Sequence, residues 1–329
     1  MKFVKHFAAA ALLTFAVAAP AVAADKVKFS YVVPSTFYAD LIMGVDQGYF
    51  AQEGIDAELM QAGGGAATPA LLAGDIQFSG SPAAAITAIL KGAKLKVIFV
   101  TSDRAVFQLW SRPDIKTLAD LKGQTVGVIS RGDTTEIAMR YYFVRKNLPE
   151  DYTAFAPLGT GTARMAGISS GSYAASVLDK TDLAMLRASN KLDNLHMLVD
   201  LHQDVHMTFS GFAITDALLN EKPDLARRAM RAIIKAMIYT KTHREESIKA
   251  IMKFGGVADR KVVESDYDGS VDELSTVGTM ALDDQKLELQ VRGEMLGLAK
   301  DKIGAPSQVF DFRATEKAGA ELKAENWKP

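Results

Sequence analysis

The sequence predicts an α/β protein of two domains, with parallel sheets covered by helices on both faces. Strand and helix patterns alternate as β-α-β-α-β-α over residues 27–90, which is typical of a parallel sheet. A second strand and helix series follows between residues 125 and 178. About 305 of the 329 residues remain after a 24-residue leader, which is enough for two domains of about 150 residues.

The first 24 residues have the pattern of a secretory signal peptide. Lys2 and Lys5 precede an apolar run at 7–19, and Pro20 and the small residues of 21–24 follow it, which predicts cleavage after residue 23 or 24. The run is too short to cross a bilayer, although an uncleaved anchor remains an alternative. Because the sequence has no cysteine, we expect neither a lipid-anchored thiol nor disulfides. Export to the periplasm as a free protein is expected.

The charge of the chain is nearly balanced. The formal charge of −1 becomes −3 when Lys2 and Lys5 are removed, because residues 1–24 contain no acidic residue. A nucleic-acid-binding protein would be expected to carry a basic stripe. We therefore predict no nucleic-acid partner.

The first half of the mature chain alternates between strands and helices. The pattern predicts strands at 27–33, 55–60 and 76–78. It predicts helices at 35–47, at 68–72 and from residue 82 onward. Thr68 and Ser81 are placed to cap the last two helices, with Pro69 and Pro82 as their first residues.

The loops at 34–38, 61–68 and 79–82 all follow predicted parallel strands. In such a sheet the ligand site lies beyond the carboxyl ends of the strands. The first amides of a helix have no acceptor within the helix and carry partial positive charge, so they suit an anion or the oxygens of a polar ligand. We expect three helix N-termini to meet at one crevice. The alternative is that these loops are ordinary tight connections.

Five segments spread along the chain match recurrent patterns of one protein family. They are GYFAQEG at 48–54, LLAGDIQF at 71–78, IKTLADLKG at 115–123, GFAITD at 211–216 and KPDL at 222–225. Through them the chain resembles the ABC-transporter substrate-binding proteins of the group that includes the sulfonate-, taurine- and nitrate-binding and the NMT1/THI5-like proteins. The resemblance implies a two-lobed periplasmic-binding-protein type II fold, each lobe a mostly parallel sheet, with a hinge of two crossing strands.

The rest of the chain agrees with this division. Strands are predicted at 97–101 and 125–129, a helix follows residue 133, and the apolar run at 105–110 can cross between lobes. We place the lobe boundaries at 25–110 for the first part of lobe 1, 111–209 for lobe 2, and 210–329 for the second part of lobe 1 with the C-terminal helices. Amphipathic helices at 224–244, 245–254 and 288–300 are predicted to pack as core.

Candidate ligand-binding residues lie at predicted helix starts in both lobes. They are Ser35, Thr36, Phe37, Tyr38, Gly64, Gly65 and Ser81 in lobe 1, and Ser130, Asp133, Thr134, Thr135, Gly161, Thr162 and Arg164 in lobe 2. Hydroxyls beside helix N-termini favour an oxyanion such as a sulfonate or a carboxylate. Arg131 and Arg164 would either clamp this anion or extend into solvent. Asp133 would repel an anion or favour an amine instead, so the expected ligand is an organic anion or a zwitterion. Phe37, Tyr38 and Met165 would form apolar walls.

The sequence gives less support to metal binding and to enzymatic catalysis. Asp200, His202, Asp204 and His206 alternate and would share one face of a strand, where they could hold a divalent metal. A solvated loop is the interpretation that we favour. The segment lacks the glutamate of H-E-x-x-H, and the sequence has no G-x-S-x-G and no Walker-type loop,. We predict no metal site, no cofactor and no enzyme mechanism.

The resemblance implies a solute-binding subunit of an ABC importer, which captures a small organic anion and presents it to a membrane permease as a monomer. One alternative is an enzyme on the same fold, because the resemblance extends to THI5-like pyrimidine synthases and menaquinone-pathway lyases. The absence of cysteine excludes the Cys-rich motif of the THI5-like enzymes. Another alternative is the ligand-binding protein of a sensor system.

Overall fold

A computed structural model describes residues 23–329 of the chain. The predicted signal peptide at 1–24 falls almost entirely outside the described residues. The strands are β1 Asp25–Tyr31, β2 Ile55–Gln61, β3 Leu95–Arg104, β4 Phe107–Ser111, β5 Thr125–Val128, β6 Ala154–Pro157, β7 Ala175–Asp179, β8 His196–Asp200 and β9 His206–Thr215.

Helices cover the sheets and form the C-terminal third. They are α1 Ala39–Asp46, α2 Tyr49–Gln52, α3 Gly64–Ala73, α4 Pro82–Leu90, α5 Thr134–Arg145, α6 Gly161–Ser169, α7 Lys180–Ala188, α8 Leu201–Asp204, α9 Asp216–Glu221, α10 Pro223–Thr242, α11 Arg244–Gly255, α12 Arg260–Ser270, α13 Leu282–Met295 and α14 Arg313–Ala324. Within residues 23–329, no α-helix combines the length and the apolar character that a bilayer span requires.

The first sheet is assembled from both ends of the chain. β1 pairs in parallel with β2, and Phe29 bridges to Phe78 in the same sense. Ser79 then pairs with Ala213 of β9, which runs antiparallel to β3. The strand predicted at 76–78 is thus reduced to single bridges at Phe78 and Ser79, because the chain turns at once into α4.

The second sheet has the order β6-β5-β7-β4-β8. β5 is parallel to β6 and β7, whereas β4 is antiparallel to both of its neighbours. Each sheet is therefore mostly parallel with one reversed strand, β9 in the first and β4 in the second. This geometry confirms the predicted two-lobed α/β fold.

Two segments cross between the lobes. β3 leads directly into β4, and β8 leads through α8 into β9, so each reversed strand begins just after a crossing. The buried residues Phe107 and Leu109 make β4 part of the core of the second lobe, although the sequence placed them with the first. We therefore propose that the second lobe begins near residue 105. The helix α13 packs against both α5 and β9 and so joins the lobes a third time.

Three predicted helix starts differ from the structure: α1 begins at Ala39 rather than residue 35, α13 begins at Leu282 rather than residue 288, and α3 also begins elsewhere. α3 begins at Gly64, four residues before the predicted start, because the Gly63 carbonyl accepts hydrogen bonds from the amides of Ala66 and Ala67 at 2.9 and 2.7 Å. Thr68 therefore does not cap the helix, and Pro69 lies inside it. The missing N–H of Pro69 leaves the Gly65 carbonyl without its helical donor.

Candidate functional site

A cleft of about 770 Å³ separates the two lobes. Its walls come from the loop after β1, from the start of α3 and most of α4 in lobe 1, from the start of α5 in lobe 2, and from α13. The residues that line it are Val32, Gly64, Gly65, Thr68, Ala83, Ala84, Thr87, Ala88, Lys91, Gly132, Asp133, Thr134, Ile137 and Arg292. Most of these side chains are small or apolar, so the cleft has room for a ligand with an apolar part.

The N-terminus of α3 opens onto this cleft. The amides of Gly64 and Gly65 are the first two of the helix and have no acceptor within it. A Cβ at Gly64 would lie 2.7 Å from the Ala84 Cβ, so glycine lets α3 approach α4 closely. A Cβ at Gly65 would meet no atom within 4 Å. The Thr68 hydroxyl is buried and has no partner among the described residues.

The N-terminus of α5 faces the same cleft from the second lobe. Asp133 caps this helix, since its carboxylate accepts hydrogen bonds from the Glu136 amide at 3.2 Å and from Thr135 Oγ1 at 2.7 Å. Thr135 Oγ1 also accepts from the Ile129 amide at 3.0 Å and is buried. The Thr135 hydroxyl is therefore fully used in the capping hydrogen bonds, whereas Thr134 lines the cleft. One carboxylate oxygen of Asp133 is engaged in the cap, and the residue also lines the cleft.

Arg292 on α13 brings a guanidinium to the cleft. Its Nε donates to Glu288 Oε1 at 2.9 Å, and its Nη1 donates to the Ala83 carbonyl at 3.3 Å. Glu288 also accepts from the amide and hydroxyl of Thr208 on β9, at 2.9 and 2.6 Å. Arg292 is not among the residues predicted for the site, because the pattern of 288–300 indicates a helix that packs as core. Glu288 and Arg292 lie four residues apart on the buried face of this helix. This pair of opposite charges is the sequence feature that could have indicated a functional residue.

The segment 35–38 is committed mainly to packing. The Thr36 amide and hydroxyl donate to Asp266 of α12 at 2.8 and 2.7 Å. Tyr38 donates its hydroxyl to the Gly80 carbonyl at 2.7 Å, and the Phe37 ring packs against Phe209 with 4.9 Å between the ring centroids. Ser35 is half-buried and makes no capping bond. None of these four predicted site residues is among those that line the cleft.

Two of the predicted serines have different environments. Ser81 is buried at the start of α4, its hydroxyl has no partner among the described residues, and its Cβ is 3.9 Å from the Cβ position of Gly64. It therefore lies beside the cleft. Ser130 is exposed in the loop before α5, and Arg131 in the same loop is exposed and 3.8 Å from Glu136.

The start of α6 does not contribute to the cleft. Arg164 is buried, where its Nε donates to the Val177 carbonyl at 3.1 Å, its Nη1 to the Gly159 carbonyl at 2.6 Å and its Nη2 to Asp182 at 2.5 Å. All three guanidinium nitrogens are engaged, so Arg164 does not fit the ligand clamp predicted for it. Gly161 is packed beside Asp182, and Thr162 is exposed.

The acid and histidine series at 200–206 does not form one face of a strand. β8 ends at Asp200, and Leu201–Asp204 turns as α8. Asp204 pairs with Lys146 at 3.2 Å, and His206 lies 3.3 Å from Asp284. The extended geometry on which the metal alternative depended is therefore absent from this segment.

A buried acid lies in the core of lobe 1. Asp40 is fully buried and accepts hydrogen bonds from the Leu41 amide at 2.7 Å and from Thr101 Oγ1 at 3.0 Å. Burial raises the pKa of this carboxyl from 3.8 to about 7, because its hydrogen bonds offset only part of the loss of water,.

The comparisons with known proteins agree with this architecture. Residues 35–247 match the family model described as NMT1/THI5 like. None of the curated protein sequences matches the chain.

Solved structures of the same fold include three sulfonate-binding proteins. The putative periplasmic sulfonate-binding protein SsuA of Methylobacillus flagellatus KT is 14% identical with a TM-score of 0.73, over 93% of this chain and 98% of its own. The periplasmic aliphatic sulphonate binding protein SsuA of Escherichia coli is 16% identical with a TM-score of 0.67, over 89% and 92%. The alkanesulfonate-binding protein SsuA of Xanthomonas axonopodis pv. citri, bound to MOPS, is 16% identical with a TM-score of 0.62, over 88% and 99%. At these identities the likeness establishes the fold.

Proposed function

Because the chain belongs to the NMT1/THI5-like family, we propose that it is the periplasmic solute-binding subunit of an ABC importer and captures a small organic anion between its lobes. The observation that carries this proposal is the position of two helix N-termini, those of α3 and α5, on opposite walls of one cleft. Amides that lack acceptors and carry partial positive charge favour an anion. The sulfonate-binding proteins of the same fold support this class of ligand.

Binding in this cleft would be coupled to a change of shape. A ligand that contacts Gly65 on one wall and Thr134 on the other makes more contacts when the lobes are close together, so it favours the closed form. A permease would then recognise that form. The crossings at 105–106 and at α8 are the segments about which the lobes would rotate.

We propose binding without catalysis. Among the described residues, none of the three threonines that line the cleft is hydrogen-bonded to a base that could activate it: Thr87 donates to the Ala83 carbonyl, and Asp133 is engaged in the cap of α5,. The sequence also has no cysteine. Export by the signal pattern at 1–24 would separate the protein from cytoplasmic cosubstrates. A permease gene beside that of this protein, rather than a sensor gene, would favour the importer over a sensory role.

A thermal-shift screen tests the proposal. Purified mature protein would be mixed with sulfonates, carboxylates, amines and neutral heterocycles. A ligand at 100 times its dissociation constant should add about 2.7 kcal/mol to the free energy of unfolding. We expect an organic anion to raise the melting temperature; stabilisation by amines or neutral solutes alone would overturn the choice of ligand class.

A pair of variants tests the site itself. Thr134→Ala, which removes a hydroxyl in the cleft, should weaken binding of the solute that the screen identifies. Ser130→Ala removes an exposed hydroxyl four residues away and should leave binding unchanged. Equal affinities for both variants and the wild type would exclude the start of α5 from the site.

A further inference from the structure

The guanidinium of Arg292 is almost completely buried yet incompletely bonded. Its side chain is 3% exposed and lines the cleft. The Nη2 atom is shielded from solvent, 2.8 Å from Glu288 Oε1, and the hydroxyl of the buried Tyr141 lies beside this guanidinium. Nη1 carries two hydrogens and makes one hydrogen bond among the described residues, to the Ala83 carbonyl, so it retains a donor for a ligand oxygen,.

This guanidinium lies close to the N-terminus of α3. Its Nη1 is bonded to the carbonyl of Ala83, and the next residue, Ala84, is the one against which Gly64 packs. The guanidinium of Arg292 and the amides of Gly64 and Gly65 therefore lie next to one another along the cleft. An anionic group placed there could accept from both.

The charges around Arg292 limit what that group can be. Glu288 is fully buried and neutralises part of the positive charge of Arg292, while Asp133 lines the same cleft. Lys91, the other cation among the lining residues, is exposed, so water and salt screen its charge. The remaining attraction comes from the partial charges of two helix ends. One anionic group can be stabilised in this way, whereas a second would meet Asp133 or the apolar side chains of Val32 and Ile137.

We infer that Arg292 is the specificity-determining residue of the cleft and that it selects a monoanionic organic acid with an apolar body. This inference rests on the solute-binding function proposed above. Glu288 holds the guanidinium in place, and through its two bonds to Thr208 it attaches Arg292 to the crossing strand β9. A ligand that completes the bonding of Arg292 therefore binds directly beside the hinge.

Calorimetric titration with four matched probes tests the inference. Hexanoate and 1-pentanesulfonate have one negative charge and an apolar body, adipate has two negative charges, and hexylamine is a cation. We expect the wild type to bind one of the two monoanions more tightly than adipate or hexylamine. Arg292→Gln should weaken that binding about 10- to 100-fold, the range of a lost charge-assisted hydrogen bond.

Two further variants keep the result interpretable. Arg131→Gln removes an exposed arginine beside the same cleft and should bind within twofold of the wild type. Because Arg292→Gln leaves Glu288 buried without its cation and can unfold the protein, the double variant Glu288→Gln with Arg292→Gln removes both charges together. It should fold and show the same loss of monoanion binding.

Three results would overturn the inference and leave a solute-binding function in place. The first is undiminished monoanion binding by the double variant. The second is tighter binding of adipate or hexylamine than of either monoanion by the wild type. A wild-type protein that binds none of the four probes, but binds another solute of the thermal-shift screen, would likewise overturn only the role of Arg292. Failure of every solute in both experiments would count against the proposed function itself.

Discussion

Lys180 Nζ lies 2.9 Å from Glu273 Oε1 and so connects the two lobes on the far side of the hinge from α13. Lys180 is the first residue of α7 in lobe 2, and it also donates to the Gly269 carbonyl. Glu273 follows α12, which is fixed to lobe 1 by the bond from Tyr267 to the Thr240 carbonyl. The contact joins the lobes beside the crossing segments, so we expect it to stabilise this arrangement of the lobes over more open ones.

Lys180→Ala should weaken ligand binding modestly. The Lys180 side chain is 55% exposed, and an ion pair of this kind contributes about 0.2–1 kcal/mol, which corresponds to at most about a fivefold change in affinity. Lys28→Ala is the matched control, because Lys28 is similarly exposed and pairs with Glu58 at 3.1 Å on the neighbouring strand within lobe 1. Calorimetry should show the loss for Lys180 alone, and an equal effect of both variants would contradict a role in closure.

The stability of lobe 1 should fall as the pH rises from about 4 to about 7. Burial raises the pKa of Asp40 to about 7, so the folded state holds its proton more tightly than the unfolded state does. Below pH 4 both states are protonated and the contribution is complete; between pH 4 and 7 the unfolded state ionises first and stability is lost, on the order of 4 kcal/mol at most.

Asp40→Asn removes this titration and is the test. Urea unfolding of both proteins at pH 4.5, 6 and 8 should show the variant gaining stability relative to the wild type as the pH increases. Parallel pH profiles for the two proteins would indicate that Asp40 stays ionised in the fold.

The two glycines of the α3 N-terminus should respond differently to alanine. Gly64→Ala places a methyl 2.7 Å from the Ala84 Cβ, so α3 and α4 must separate at a cost of about 1–3 kcal/mol. Gly65→Ala meets open space and should keep or slightly raise the melting temperature, while its methyl narrows the cleft and weakens ligand binding. Thermal denaturation and calorimetry of both variants separate these effects; a stable Gly64→Ala protein would contradict the close packing.

Arg164→Gln should destabilise lobe 2 and leave ligand binding unchanged. Removing the guanidinium leaves Asp182 buried without its cation, which costs about 3–5 kcal/mol,. Thermal denaturation should therefore show a lowered melting temperature, and the folded variant should bind the ligand within twofold of the wild type. Normal stability with lost binding would restore Arg164 to the ligand site.

The family motif at 48–54 illustrates what sequence patterns specify. Its acid, Glu53, accepts hydrogen bonds from Arg231 at 3.1 Å and Lys235 at 2.7 Å, which are buried on α10. The motif therefore attaches the turn before β2 to a helix from the far end of the chain. The motif is a marker of the fold because its residues stabilise the fold. It gives no information on the ligand.

The sequence by itself determined the alternation of strands and helices, the division into two α/β units and the presence of helix starts rich in glycine and hydroxyls. These features depend on local periodicity, turn residues and capping, which neighbouring residues encode. The tertiary structure alone decided which of these helix starts share a cleft and which arginine reaches it. Arg164 and Arg292 are both buried on helices. The guanidinium of Arg164 is fully bonded to two carbonyls and Asp182, whereas Arg292 lines the cleft and its Nη1 makes only one hydrogen bond among the described residues. That difference arises from contacts between residues far apart in the chain, and periodicity specifies a buried face without specifying what lies against it.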